Sequence, residues 1–123
     1  MIHLRAIAAL TAATVGIRLF SLPRVVELLV PTDCATKLGV DSNEVRDVIE
    51  AWGRRLPFQT CLTRGVAARV LLSHYGLRSV LRLGVRRTSD GRFHAHAWVT
   101  VADEVVVGAI PNLAHFSAFP RTF

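Results

Sequence analysis

One lysine, Lys37, and two cysteines, Cys34 and Cys61, are all that this 123-residue chain holds of those residue types. No Cys-x-x-Cys and no His-Glu-x-x-His occurs, and Cys and His are too sparse at short spacing to build a zinc site, so no metal is expected. Two cysteines do not make the disulfide framework of a small secreted protein. A Cys34–Cys61 bridge stays open, but the expected setting is a reducing cytoplasm with free thiols. No Gly-Lys-Ser/Thr loop is present to cradle a nucleotide, and no cofactor is expected. Aromatic residues are only 7% of the chain, and no strand has the composition of an RNA-stacking segment, which argues against nucleic acid. No apolar run reaches the ~20 residues that cross a bilayer. The longest, residues 6–17, has the length of a signal-peptide apolar region. The cationic stretch before it is thin, however, and Arg18-Leu19-Phe20 is no small-residue cleavage site, so a core or surface-lying helix is the better reading.

Hydrophobic residues make up 51% of the chain, enough for one core without a disulfide or metal to staple it. The formal charge is +6, and nearly all of the positive charge is arginine. That sign suits RNA, an anionic membrane surface or an acidic peptide, and alone it does not choose among them.

No repeat or low-complexity linker divides the chain, so residues 1–123 read as a single domain. A first helix is expected over about Arg5–Phe20, ended by Ser21-Leu22-Pro23, which also starts the second. Val25, Leu28 and Leu29 give that second helix its apolar spacing, and it stops before Pro31. Asp41 and Ser42 are N-cap candidates for a third helix with the stripe Val45, Val48, Ile49 and Trp52. A fourth begins near Thr60 or Cys61 and ends at Gly76. Its Leu62, Val66 and Val70 recur every four residues with Ala67 and Leu71 beside them, which predicts a central, buried helix.

After Gly76 the apolar period changes to two. Leu81, Leu83 and Val85 alternate with Arg82, Gly84 and Arg86. Ser89-Asp90-Gly91 signals a hairpin, and Phe93, Ala95, Ala97, Val99 and Val101 then alternate with His94, His96, Trp98 and Thr100. Residues 102–104 turn again into a third strand at Val105–Val107. The fold expected is α+β, a helical half followed by an antiparallel meander packed on a central helix.

Two residues carry candidate chemistry. Cys61 stands at a helix start, where the dipole and unpaired N–H groups favour a thiolate and can hold an oxyanion; Arg64, one turn on, adds positive potential. A buried structural cysteine fits the same position. His96 lies on the strand face opposite Ala95 and Ala97, and a helix packed across the sheet brings its N-terminus within reach of that strand. A satisfied polar residue on a half-exposed strand is the alternative. His94 shares the face but stands ~7 Å along the strand, while the sequence around His3, His74 and His115 marks no role for them.

The segment Arg55-Leu56-Pro57-Phe58-Gln59-Thr60-Cys61-Leu62-Thr63-Arg64, with Leu83-Gly84-Val85-Arg86, Ala95-His96-Ala97-Trp98-Val99, Val106-Val107-Gly108 and Pro111-Asn112-Leu113, resembles the leader peptidases of lasso-peptide biosynthesis. These are the protease half of the biosynthetic B protein, microcin-processing cysteine peptidases of the transglutaminase-like type. The resemblance implies a transglutaminase/papain-like core over residues 57–123 behind a helical lead-in, residues 1–56. It implies Cys61 as nucleophile and His96 as base, cutting the leader from a ribosomally made precursor peptide. It also implies a separate leader-recognition protein, since no winged-helix module precedes the helices, and the lasso cyclase as a further partner. Any nucleotide effect would then enter through a partner. Peripheral membrane contact by the apolar N-terminal helices stays open.

The family carries an Asp on the strand after the His, and here the chain departs. Asp103 is the nearest acid, in a predicted turn about 23 Å from His96 by strand rise. Folding the hairpin at 102–104 sets residues near 108–112 beside His96, and Asn112 alone among them has a side chain able to orient an imidazole, as Asn does in papain-like enzymes. Asn112 is the candidate third catalytic member, with a backbone carbonyl as an equal alternative. A non-catalytic scaffold, or a basic membrane-associated module, is the competing functional reading.

Overall fold

The computed structural model describes residues 2–31 and 40–123; Cys34, and with it any pairing to Cys61, lies outside the described residues. Four helices lead: α1 (Ile2–Leu19), α2 (Leu22–Leu29), α3 (Ser42–Arg55) and α4 (Cys61–His74). Strands β1 (Val80–Arg87), β2 (Phe93–Val101) and β3 (Glu104–Val107) follow, then a single 3-10 turn at Leu113–His115 and a two-residue strand, β4 (Ser117–Ala118). The class is α+β, as the change of period from 3.6 to 2 implied.

Local chemistry sets the helix boundaries. Pro23 falls in the first turn of α2, where its missing N–H costs nothing. At α3 the Asp41 carboxylate accepts from the Glu44 N–H at 2.9 Å. At α4, Thr60 Oγ1 accepts from the Thr63 N–H while Thr63 Oγ1 accepts from the Thr60 N–H, a reciprocal capping box that makes Cys61 the first helical residue. The far end closes on Gly76 at φ 79°, with the Leu77 N–H donating to Leu72 O at 2.8 Å.

Helix α4 is the hub. It packs against α1, α3 and the sheet, and Val66, Ala67, Ala68, Leu71 and Leu72 are buried. Small residues let its neighbours close in. The buried stripe of α1 is Ala6, Ala9, Leu10 and Ala13. On the sheet side, a Cβ at Gly65 would stand 2.7 Å from Leu81 Cδ1, so β1 rests directly on the helix backbone. The outer sides of α1 and α2 leave Leu4, Leu19 and Leu28 exposed.

The sheet runs β3-β2-β1-β4, antiparallel throughout. Leu81 pairs with Val99 and Leu83 with Ala97, which sets these four toward α4 and puts Gly84, His96 and Trp98 on the other face. Strand β4 is an addition to the expected three-strand meander. The chain crosses back to the far edge of β1 and is held there by backbone bonds, Phe119 N–H to Leu83 O at 2.8 Å and Phe123 N–H to Leu81 O at 2.9 Å. The β2–β3 turn uses Ala102 and Asp103, both at positive φ, so β3 starts one residue earlier than expected. Because β3 pairs only with Val99–Val101, the edge of β2 stays open from Trp98 back to Phe93.

Two expected outcomes test this framework. Thr60→Ala removes the α4 cap and should lower unfolding free energy by about 1 kcal/mol in a urea titration. In the β1–β2 turn, bonds from the Thr88 hydroxyl and the Arg92 N–H hold the Asp90 carboxyl below its ordinary 3.8. A lowered folded value means that its contribution to stability is complete above the ordinary carboxylate range and is lost as pH falls through the lowered value. An NMR titration of Asp90 should give that lowered midpoint, and Thr88→Val should move it back up.

Candidate active site

Capping decides what Cys61 can offer. The Thr60 hydroxyl takes the Thr63 N–H, while those of Cys61 and Leu62 have no acceptor one turn back within the helix. The thiol is half-buried at this N-terminus, beside N–H groups that the helix itself does not use. Those donors suit a developing oxyanion.

Arg64 does not add free positive charge there. Its Nη1 pairs with Glu50 Oε2 at 3.4 Å and its Nη2 donates to Gly53 O at 3.0 Å. Gly53 on α3 makes room, since a Cβ there would lie 2.5 Å from Arg64 Nε. The pair ties α3 to α4 beside the cysteine and largely neutralises the expected potential.

His96 is held from three sides. Its Nε2 lies 2.7 Å from Gly108 O, Trp98 stacks on it at 6.2 Å between centroids, and Phe116 leans on it at 5.7 Å. A carbonyl oxygen can only accept, so Nε2 carries a proton, and in the neutral ring Nδ1 is then the nitrogen with the lone pair. That is the tautomer a general base requires. Gly108 can deliver its carbonyl because it has no side chain: its φ is 93°, and a Cβ would come within 2.7 Å of Ala97 O and 2.9 Å of Trp98 Cα. Gly84 serves the same cluster, because a Cβ there would strike the Trp98 ring at 2.7 Å.

Cys61 and His96 both wall two cavities. One, of about 170 Å³, also touches Glu50, Arg64 and residues 107–110. The other, of about 210 Å³, opens toward β1 and Phe119. A larger cavity, of about 420 Å³, includes neither Cys61 nor His96 and holds Asp103 in its wall. Its size does not make it the reactive centre, because the cysteine and histidine pair lies elsewhere.

The remaining candidates are placed as follows. With its amide oxygen turned to the guanidinium, Asn112 accepts from both Nη atoms of Arg86 at 3.2 Å. Arg86 in turn lies over the Phe116 ring at 5.7 Å. The group brought onto the imidazole is therefore the Gly108 carbonyl, while the Asn112 side chain props Arg86 and Phe116 behind it. Asp103 sits in the β2–β3 turn. His94 is exposed at the edge of Phe116, and His3 accepts from Trp52 Nε1 at 3.1 Å. Sequence reasoning missed Glu50 and gave no site role to Phe116, since neither has local spacing to Cys61 or His96.

The sequence profile of the transglutaminase-like superfamily matches residues 5–120. The chain belongs to the transglutaminase-like superfamily. That superfamily includes cysteine peptidases, and its match extends through the helical lead-in as well as Cys61 and His96. No curated protein and no solved structure matches the chain.

The superfamily site yields a spectroscopic prediction. In nitrogen-15 spectra taken where the ring is neutral, His96 should be the Nε2–H tautomer. Gly108→Val, which cannot keep this backbone without strain of about 1–3 kcal/mol, should return it to a tautomer mixture, whereas Asn112→Ala should leave it unchanged.

Proposed function

We propose that this transglutaminase-like chain is a cysteine peptidase that removes the leader from a ribosomally synthesised lasso-peptide precursor. The observation that carries the reading is Cys61, at a capped helix start, sharing cavity walls with a His96 whose Nδ1 keeps its lone pair. In the proposed cycle Nδ1 takes the Cys61 thiol proton as sulfur attacks the scissile carbonyl carbon. The oxyanion is met by the N–H groups at the start of α4. The C–N bond breaks, the imidazolium gives its proton to the leaving amine, and a thioester remains on Cys61. Water, deprotonated by Nδ1, hydrolyses the thioester and frees the thiol.

The narrower choice of a lasso precursor rests on the blocks at 55–64 and 95–99. An arginine-rich surface complements acidic leaders. A separate leader-recognition protein and the cyclase complete the proposed assembly, which works in the cytoplasm. One observation favours a second reading, a non-catalytic scaffold: a main-chain carbonyl, rather than an acid, meets His96.

Mass spectrometry of a lasso precursor incubated with this chain and its recognition partner separates the two. Cleavage at a single bond is expected, falling to background in Cys61→Ala and roughly 10²–10⁴-fold in His96→Ala. Omission of the partner should slow it strongly. Cleavage that survives Cys61→Ala removes the cysteine from the mechanism, and no cleavage by a folded, partner-bound protein establishes the scaffold.

A further inference from the structure

Cys61 and His96 stand between two cavities of opposite chemistry. The one toward α3 has an ion pair, Glu50 and Arg64, in its wall. The other is built from Leu62, Leu83, Ala95, Ala97 and Phe119 around Gly84, so every side chain in it other than Cys61 and His96 is hydrocarbon. At about 210 Å³ it exceeds the ~150 Å³ apolar cavity that accepts benzene. A branched aliphatic or aromatic side chain fits that space. A charged or amide side chain entering it gives up water and meets no partner on the hydrocarbon walls, which is unfavourable.

The cavity is open rather than a gap in the core. Ala95 is exposed and Phe119 is 47% exposed, so its rim faces solvent beside the thiol. The rim is also fixed in place. Ala95 is registered opposite Val85 in the β1–β2 ladder, and the Phe119 N–H is bonded to Leu83 O. The small side chains of Ala95 at the rim and of buried Ala97 leave space that longer ones would fill.

We infer that this cavity is the specificity pocket of the peptidase, taking one apolar side chain of the substrate within two residues of the bond that is cut. The inference rests on the peptidase reading and adds to it the side-chain class selected next to the scissile bond. Ala95 and Phe119 are its selecting residues.

The test uses a lasso precursor in which the two residues on each side of the cleaved bond are changed singly to Gly, Leu, Asp and Lys. It is cut by the full chain with its recognition partner. One position should favour Leu over Gly, Asp and Lys by roughly tenfold to hundredfold in kcat/KM. Ala95→Asp should abolish that preference at that position alone and raise cleavage of the Lys peptide there. Phe119→Ala should reduce the preference for Leu. Both sites are exposed, so circular dichroism and melting should match the native protein. The gain with Lys is a readout that a merely structural role for Ala95 would not produce. If cleavage depends on Cys61 but no position prefers an apolar residue, or if the preference is unmoved by both variants, the pocket assignment falls and the peptidase reading stands. If cleavage does not depend on Cys61, both fall.

Discussion

A helix covered on nearly every side has to start at the right residue, and the structure depends on that start. The reciprocal bonds of Thr60 and Thr63 set α4 to begin at Cys61. Shifted by one residue, the helix would turn its small flank of Gly65, Ala67 and Ala68 by about 100° and push larger groups into α1 and Leu81. The start is therefore enforced from both directions, by the cap at the end and by packing along the sides. Such double enforcement makes the position of the thiol a property of the core rather than of a loop.

The second half of the chain adds an edge. Strand β3 is short and leaves β2 after Val99, which opens the flank of β2 where His96 stands. The chain that leaves then runs from Gly108 to Phe116 past the imidazole before it joins the far edge of β1. One excursion thus supplies a hydrogen-bond acceptor, an aromatic wall and, at Phe119, the rim of an apolar cavity. Fold and site are continuous here, because the segment that closes the sheet also surrounds the histidine.

Much of this was legible in the residues. The helical stripes, the change of period at Gly76, the Thr60–Cys61 start and the strand face of His96 follow from local pattern, and local pattern is what spacing reports. Strand β4 was not legible, since Ser117-Ala118 has no alternation and joins the sheet through main-chain bonds. Arg64 was misread for a related reason. Its neutralising partner Glu50 lies on another helix, and pairing across helices leaves no mark in spacing. The ring's partner stayed divided between the Asn112 side chain and a backbone carbonyl, because residue spacing does not show which of the two meets the imidazole. The only trace of the Gly108 contact is the glycine itself.

A main-chain acceptor has a different history from a side-chain one. An aspartate can be exchanged in a single substitution, and its charge both steadies an imidazolium and changes with pH. The carbonyl of Gly108 is neutral at every pH, and the peptide unit that carries it is present whatever residue is encoded. Selection at this position therefore acts on size and handedness rather than on functional groups. Surveys that recognise such sites by three conserved side chains would pass over this arrangement; a compulsory glycine one strand away from the histidine is the feature to search for instead.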